Sequence, residues 1–144
     1  MEDKKLQDIG LLVLRVGVGV LFIIHGWPKM FGGPETWAVI GKMGMGAFGI
    51  NFAPAFWGFM AAFAELIGGI ALIAGILTRP FCILLGFTML AATWFNLFTA
   101  DGGGKNPGTH ALLGLVVFIA LLISGPGKYS LRQMVDPFKR KWFV

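Results

Sequence analysis

Residues 53–77 read APAFWGFMAAFAELIGGIALIAGIL, a run of 25 residues with a single charge, Glu65. Roughly 20 consecutive apolar residues are enough to cross the hydrocarbon core of a bilayer as a helix. Small residues recur at Ala61, Ala64, Gly68, Ala71 and Gly75, alternately three and four apart. At helical spacing they line one face, a groove that another membrane helix can approach closely. The groove could serve packing within one bundle or between two copies of the chain. Glu65 lies on its flank and is expected to point inward, about 16 Å from the outer end of its helix and so near the membrane midplane.

Working outward, three more apolar stretches flank this one. The first runs from about 10 to 27, interrupted by Arg15 and His25, and ends at Pro28 and the cluster Gly32-Gly33-Pro34. The third runs from about 80, where Pro80 suits a first helical turn, to 98. The fourth covers about 109–124 and stops at Gly125-Pro126-Gly127. Thr78-Arg79-Pro80 is expected to form the turn between the second and third spans, and Ala100–Gly108 a loop. Between the first two spans, Phe31–Phe52 is rich in Gly and Met. This connection is expected to lie along the membrane surface or to tuck back over the bundle as a short helix. The expected fold is an all-α integral membrane bundle of four transmembrane helices in one domain, 1–144.

Composition agrees with lipid as the solvent. The 144 residues are 56% hydrophobic and 13% charged, about half the charge of an average soluble domain. The mixed flank Met1-Glu2-Asp3-Lys4-Lys5, with no small-x-small cleavage site after the first apolar stretch, marks that stretch as retained rather than as a signal peptide. Cys82 is the one cysteine, set among apolar residues, and reads as a small buried hydrophobe.

Orientation follows from the basic residues. With an even number of spans, one side holds Lys4, Lys5, Arg79, Lys128, Arg132, Lys139, Arg140 and Lys141, with Arg15 just inside the membrane, and the other holds Lys29, Lys42 and Lys105. The excess places both termini in the cytoplasm of a plasma (inner) membrane. The tail 128–144 interleaves these cations with Leu131, Met134, Val135, Phe138, Trp142 and Phe143. It reads as an amphipathic segment resting on anionic headgroups or docking a soluble partner. The net charge of +5 is explained in the same way, and no motif points to nucleic acid.

Ionisable groups inside a span are costly, roughly 2.5–3.5 kcal/mol each, so they need partners or a task. On a helical wheel Arg15, His25 and Lys29 fall within roughly 80° of one another. Arg15, reaching along its long side chain, is expected to form a buried ion pair with Glu65. The pair would fix helix register, or Glu65 would handle a proton or substrate. At the outer end His25, Lys29, Trp94, Asn96, Asp101 and His110 gather. Their donors, with Trp27, Trp94 and Phe95 as walls, would suit the carbonyl head of a quinone. Ordinary interfacial dressing by Trp, Lys and His is the alternative. Haem or another metal would need further ligands, and the sequence has no third histidine and one cysteine. No nucleophile elbow, phosphate loop or Cys-x-x-Cys is present.

The ordered set Leu14-Arg15, His25-Gly26-x-x-Lys29, Ala64-Glu65-x-x-Gly68-Gly69, Gly75-x-x-Thr78-Arg79 and Gly125-Pro126-Gly127-x-x-Ser130-Leu131 resembles the DoxX family of small bacterial and archaeal membrane proteins. Arg132 departs from it, standing where that pattern usually has Asp. The resemblance implies a four-helix membrane fold and an association with redox chemistry. Relatives are linked to quinone-coupled thiosulfate oxidation or to complexes with soluble redox or sulfur-handling enzymes. Three functions are therefore expected to compete. One is a quinone-interacting or accessory subunit of a membrane redox complex, part of a quinone-linked oxidoreductase. The others are a small transporter or channel using Glu65, and a structural scaffold.

Overall fold

The computed structural model describes residues 2–99 and 108–131. Asp101, Lys105 and the tail from Arg132 onward, with the amphipathic role expected of it, lie outside the described residues. Five α-helices are described: α1 (Glu2–Phe31), α2 (Gly33–Gly44), α3 (Pro54–Ala74), α4 (Thr78–Phe98) and α5 (Thr109–Ser124). A 3-10 turn, Met45–Phe48, follows α2. Helices α1, α3 and α4 are each long and apolar enough to cross a membrane. Helix α5 is apolar but has 16 residues, about 24 Å at the helical rise.

Antiparallel packing can be read from the close approaches. Gly19 of α1 faces Gly69 of α3, and Gly26 faces the backbone of Glu65 and Leu66. Gly68 of α3 meets Phe81 and Leu85 of α4, and Gly86 of α4 meets Leu115 and Phe118 of α5. Helix α5 closes back on α1 through Phe22 and Phe118, edge to face with ring centres 4.9 Å apart. Ala64, Leu72, Cys82, Leu85, Phe118 and Leu121 form the buried core. The outer faces are equally apolar: Val13 is 66% exposed, Leu113 63% and Ile123 74%. Such a surface is stable against acyl chains and not against water. The beginning of α1 and the segment after α5 share one end, here the terminal end, where the Lys128 amide donates to Asp8 Oδ1 at 3.0 Å. The opposite end is called distal.

Boundaries differ from the sequence expectation at both ends of α1 and at the α3–α4 turn. Helix α1 starts at Glu2 and passes through Pro28 to Phe31. A proline so near a helix end gives up one backbone bond without ending the helix. The break comes at Gly33, whose φ of +80° is left-handed and suits glycine. The turn between α3 and α4 lies at Gly75–Leu77, and Thr78, Arg79 and Pro80 already belong to the first turn of α4. The 31–52 connection takes the tucked-back form. Helix α2 runs antiparallel along the distal half of α3, with Trp37 against Gly58 and Gly41 against Pro54. A Cβ on Gly41 would overlap the Pro54 carbonyl, and one on Gly58 would overlap that of Trp37. The two backbones are in contact there, as small-residue packing allows.

Candidate functional site

The α1–α3 register decides which charges meet. The buried residues of α1, Arg15, Gly19 and Gly26, occupy an arc of roughly 40° on its wheel. Gly26 has no side chain to hold the helices apart, so Glu65 lies against α1 and is 2% exposed. One turn further along α1, Lys29 Nζ donates to both Glu65 carboxylate oxygens at 2.7 Å. The pair is asymmetric, the Lys29 side chain being 34% exposed.

The expected Arg15–Glu65 pair does not form. Arg15 is level with Gly75, beside its guanidinium, and Gly75 is ten residues or about 15 Å from Glu65 along α3, beyond the reach of the side chain. Arg15 is instead fully buried at the terminal end. Its Nη1 donates to the Leu72 carbonyl at 3.3 Å and its Nη2 to that of Tyr129 at 2.6 Å. Gly75, with φ of +69°, makes room for it, since a Cβ there would overlap both the guanidinium and Ser130. Arg15 Nε, Ser130 Oγ and Thr78 Oγ1 are buried and find no partner among the described residues. This cation ties together α1, α3 and the segment after α5.

The Lys29–Glu65 pair lies at one end of a cavity of about 470 Å³ between α2, α3 and α4. Ile40, Gly41, Met43 and Gly44 of α2, with Met45 of the 3-10 turn, form one wall, and Phe56, Trp57, Met60 and Ala61 that of α3. From α4 come Leu84, Phe87, Thr88, Ala91, Ala92, Phe95 and Asn96. Two polar groups are already engaged, since the Thr88 hydroxyl donates to Leu84 and the Asn96 amide to Ala92. The Trp57 indole N–H is buried without a partner among the described residues. Trp37 braces the site from outside, its indole N–H donating to the Lys29 carbonyl at 2.9 Å and its ring meeting Phe59 edge to face.

Of the residues expected to form a polar pocket, Lys29 and Asn96 line this cavity, as does Phe95. His25 does not. It sits roughly 100° from the centre of the buried arc of α1 and is exposed, whereas Lys29, roughly 60° away, has the length to turn inward. His110, in the first turn of α5, is exposed as well. Trp27 faces outward at 58% exposure and packs on Phe31. Trp94 stacks on Phe48 and packs at a tilt on Phe98, next to the cavity rather than lining it. Sequence reasoning missed the α2 wall. The spacing Trp37, Gly41, Gly44, one flat face on a short helix behind Pro34, was the available signal.

The profile of the DoxX family matches residues 10–97. An Escherichia coli K12 protein named "Inner membrane protein YqjF" is 34% identical over 140 residues, covering 96% of this chain and 99% of its own. A Bacillus subtilis 168 protein named "Putative oxidoreductase CatD" is 34% identical over 118 residues, 82% of each chain. The E. coli "Inner membrane protein YphA" is 29% identical over 134 residues, 87% of this chain and 89% of its own. No solved structure matches. With this family match, its near full-length likeness to an inner membrane protein and its apolar helices, this multi-pass membrane protein belongs to the DoxX family.

Proposed function

We propose that the cavity binds a quinone or a closely related lipid-soluble carbonyl compound, and that the protein is a quinone-interacting or accessory subunit of a membrane redox complex. The observation that carries this reading is an aromatic and aliphatic cavity of about 470 Å³ with an ammonium–carboxylate pair at one end. Ligand pockets of roughly 300–1,000 Å³ typically combine such walls with a few convergent polar groups. Two of the three donors of Lys29 point at Glu65, leaving the third for a ligand carbonyl. The unpartnered Trp57 indole N–H is a second donor at the same cavity. Electrons would come from a partner protein, in keeping with the oxidoreductase name carried by the B. subtilis relative.

Purified protein in detergent tests this reading. Short-tailed ubiquinone and menaquinone analogues should raise its melting temperature by roughly 5 °C or more at about 100-fold excess over Kd. Ala61→Phe, which puts a ring into the cavity one turn from Glu65 without altering either member of the ion pair, should abolish that rise. A protein that shows no rise, and whose organic extract holds no quinone, rules the reading out. The burial of Glu65 beside a cavity at mid-membrane depth favours a second reading, a small transporter or channel. Proteoliposome flux that disappears in Glu65→Gln, without any quinone effect, would put transport first.

A further inference from the structure

The walls of the cavity are unequally tight. Helix α2 is pressed onto α3 with backbone in contact with backbone, at Gly41–Pro54 and at Trp37–Gly58. Rings crowd the distal end, Phe48 with Trp94 and Phe52 with Trp57. Against α4 the same helix merely touches: a Cβ on Gly44 would meet Ala91 Cβ at 4.0 Å and nothing nearer. Beside that contact stand Met43, 44% exposed, and Phe87, 49% exposed, each lining the cavity and facing outward. Phe87 lies near the depth of Glu65, because Gly68 of α3 packs against Phe81 and Leu85 of α4. Glu65 itself lies about 16 Å from the start of α3 and about 14 Å from its end, so hydrocarbon borders the Phe87 side of the seam. Met43 and Gly44, next to the Gly41–Pro54 contact, stand nearer the distal end.

We propose that the cavity fills sideways from the lipid phase, through the seam between α2 and α4, and that its ligand is a tailed amphiphile with a neutral, hydrogen-bond-accepting head. The head rests beside Lys29, and the tail runs out across Met43 and Phe87 among the acyl chains. This rests on the reading of the cavity as a site for a lipid-soluble carbonyl compound, and adds its route and the need for a tail. Charge excludes an anionic head: Lys29 already holds Glu65 through both oxygens, and an anion taking its place would leave a carboxylate buried and unpaired. The seam suits an apolar chain because Met43 is flexible and polarisable and can repack around one.

The spacing of Gly44 and Ala91 supplies the test. Cβ atoms about 3.5–4.5 Å apart can be bridged by a disulfide. Gly44→Cys with Ala91→Cys, in a Cys82→Ser background, should therefore lock the seam on oxidation. Gly44→Trp plugs the seam without redox chemistry. The probes are decylubiquinone and the same ring without its decyl chain, their binding to protein in nanodiscs followed by quenching of tryptophan fluorescence. Oxidation should slow association of the tailed quinone about tenfold or more, with recovery once the protein has been reduced and the dithiothreitol removed before the probe is added, and Gly44→Trp should slow it likewise. The tail-less ring should bind at least about tenfold more weakly. Equal association rates in the oxidised, reduced and plugged proteins overturn the lateral route, as does equal affinity for the two probes for the tail, while the cavity remains a quinone site. If the unmodified protein quenches with neither probe, the underlying reading fails and the route falls with it.

Discussion

Lys29 and Arg15 are cations fourteen residues apart on one helix, both drawn into an apolar bundle, and each is accommodated differently. Lys29 meets a carboxylate and keeps a third of its side chain exposed beside a cavity. Arg15 meets two backbone carbonyls, has no exposed surface and ties two helices to the chain after α5. The planar guanidinium has five donors in a fixed fork and can hold carbonyls on different segments, whereas an ammonium on a flexible stem acts as a point charge. A buried cation that fills its surroundings acts as a staple. One that borders open space, with a donor to spare, can serve as a site.

The largest expected effect breaks the site side of this contrast. Glu65→Ala leaves Lys29 beside apolar walls without a counter-charge and should cost about 3–5 kcal/mol in denaturant unfolding in detergent micelles. Lys29→Met with Glu65→Leu should lose much less than the sum of the single changes, and additive losses would show that the contact contributes nothing. Arg15→Ala comes next, at about 3 kcal/mol, because two hydrogen bonds from a charged donor vanish together. Combined with Glu65→Ala its loss should be additive, and the quinone-induced rise in melting temperature should survive in Arg15→Ala alone. Coupling between Arg15 and Glu65 would contradict the register described above.

A smaller change sharpens the staple side. Gly75→Ala puts a side chain at a left-handed φ and into the guanidinium, and should cost about 2 kcal/mol, read as a lower unfolding midpoint. Ser130→Ala is the smallest. Its hydroxyl is buried without a partner among the described residues, so its removal should change stability by less than about 0.5 kcal/mol or raise it slightly. A loss of more than about 1 kcal/mol would mean that the Ser130 hydroxyl is hydrogen-bonded after all.

Much of the bundle could be read from the sequence because lipid imposes a plain rule. Long apolar runs become helices, since no backbone polar group can go unpaired in hydrocarbon. The wheel of α1 turned Arg15 and Lys29 inward correctly but carried His25 along with them, because an 80° stripe is wider than the face α3 covers. For the site, Lys29, Glu65, Asn96 and Phe95 were in view from the start. Trp57 and Ala61 were not, because on an almost wholly apolar helix periodicity does not separate the face that lines a cavity from the one that packs. The α2 wall was not either, because its signal, Trp37, Gly41 and Gly44, spans only about two turns.

By itself, the sequence determined that this chain crosses a membrane as apolar helices with a carboxylate and two cations inside, because charge in hydrocarbon is too costly to be accidental. Which cation the carboxylate takes was decided by tertiary structure alone. Glycines at 19, 26 and 69 let two backbones slide into one close register, and that register sets Lys29, rather than Arg15, at the depth of Glu65. Periodicity fixes the face on which a residue lies but not its height against a neighbouring helix, and at a rise of about 1.5 Å per residue that height selects the partner.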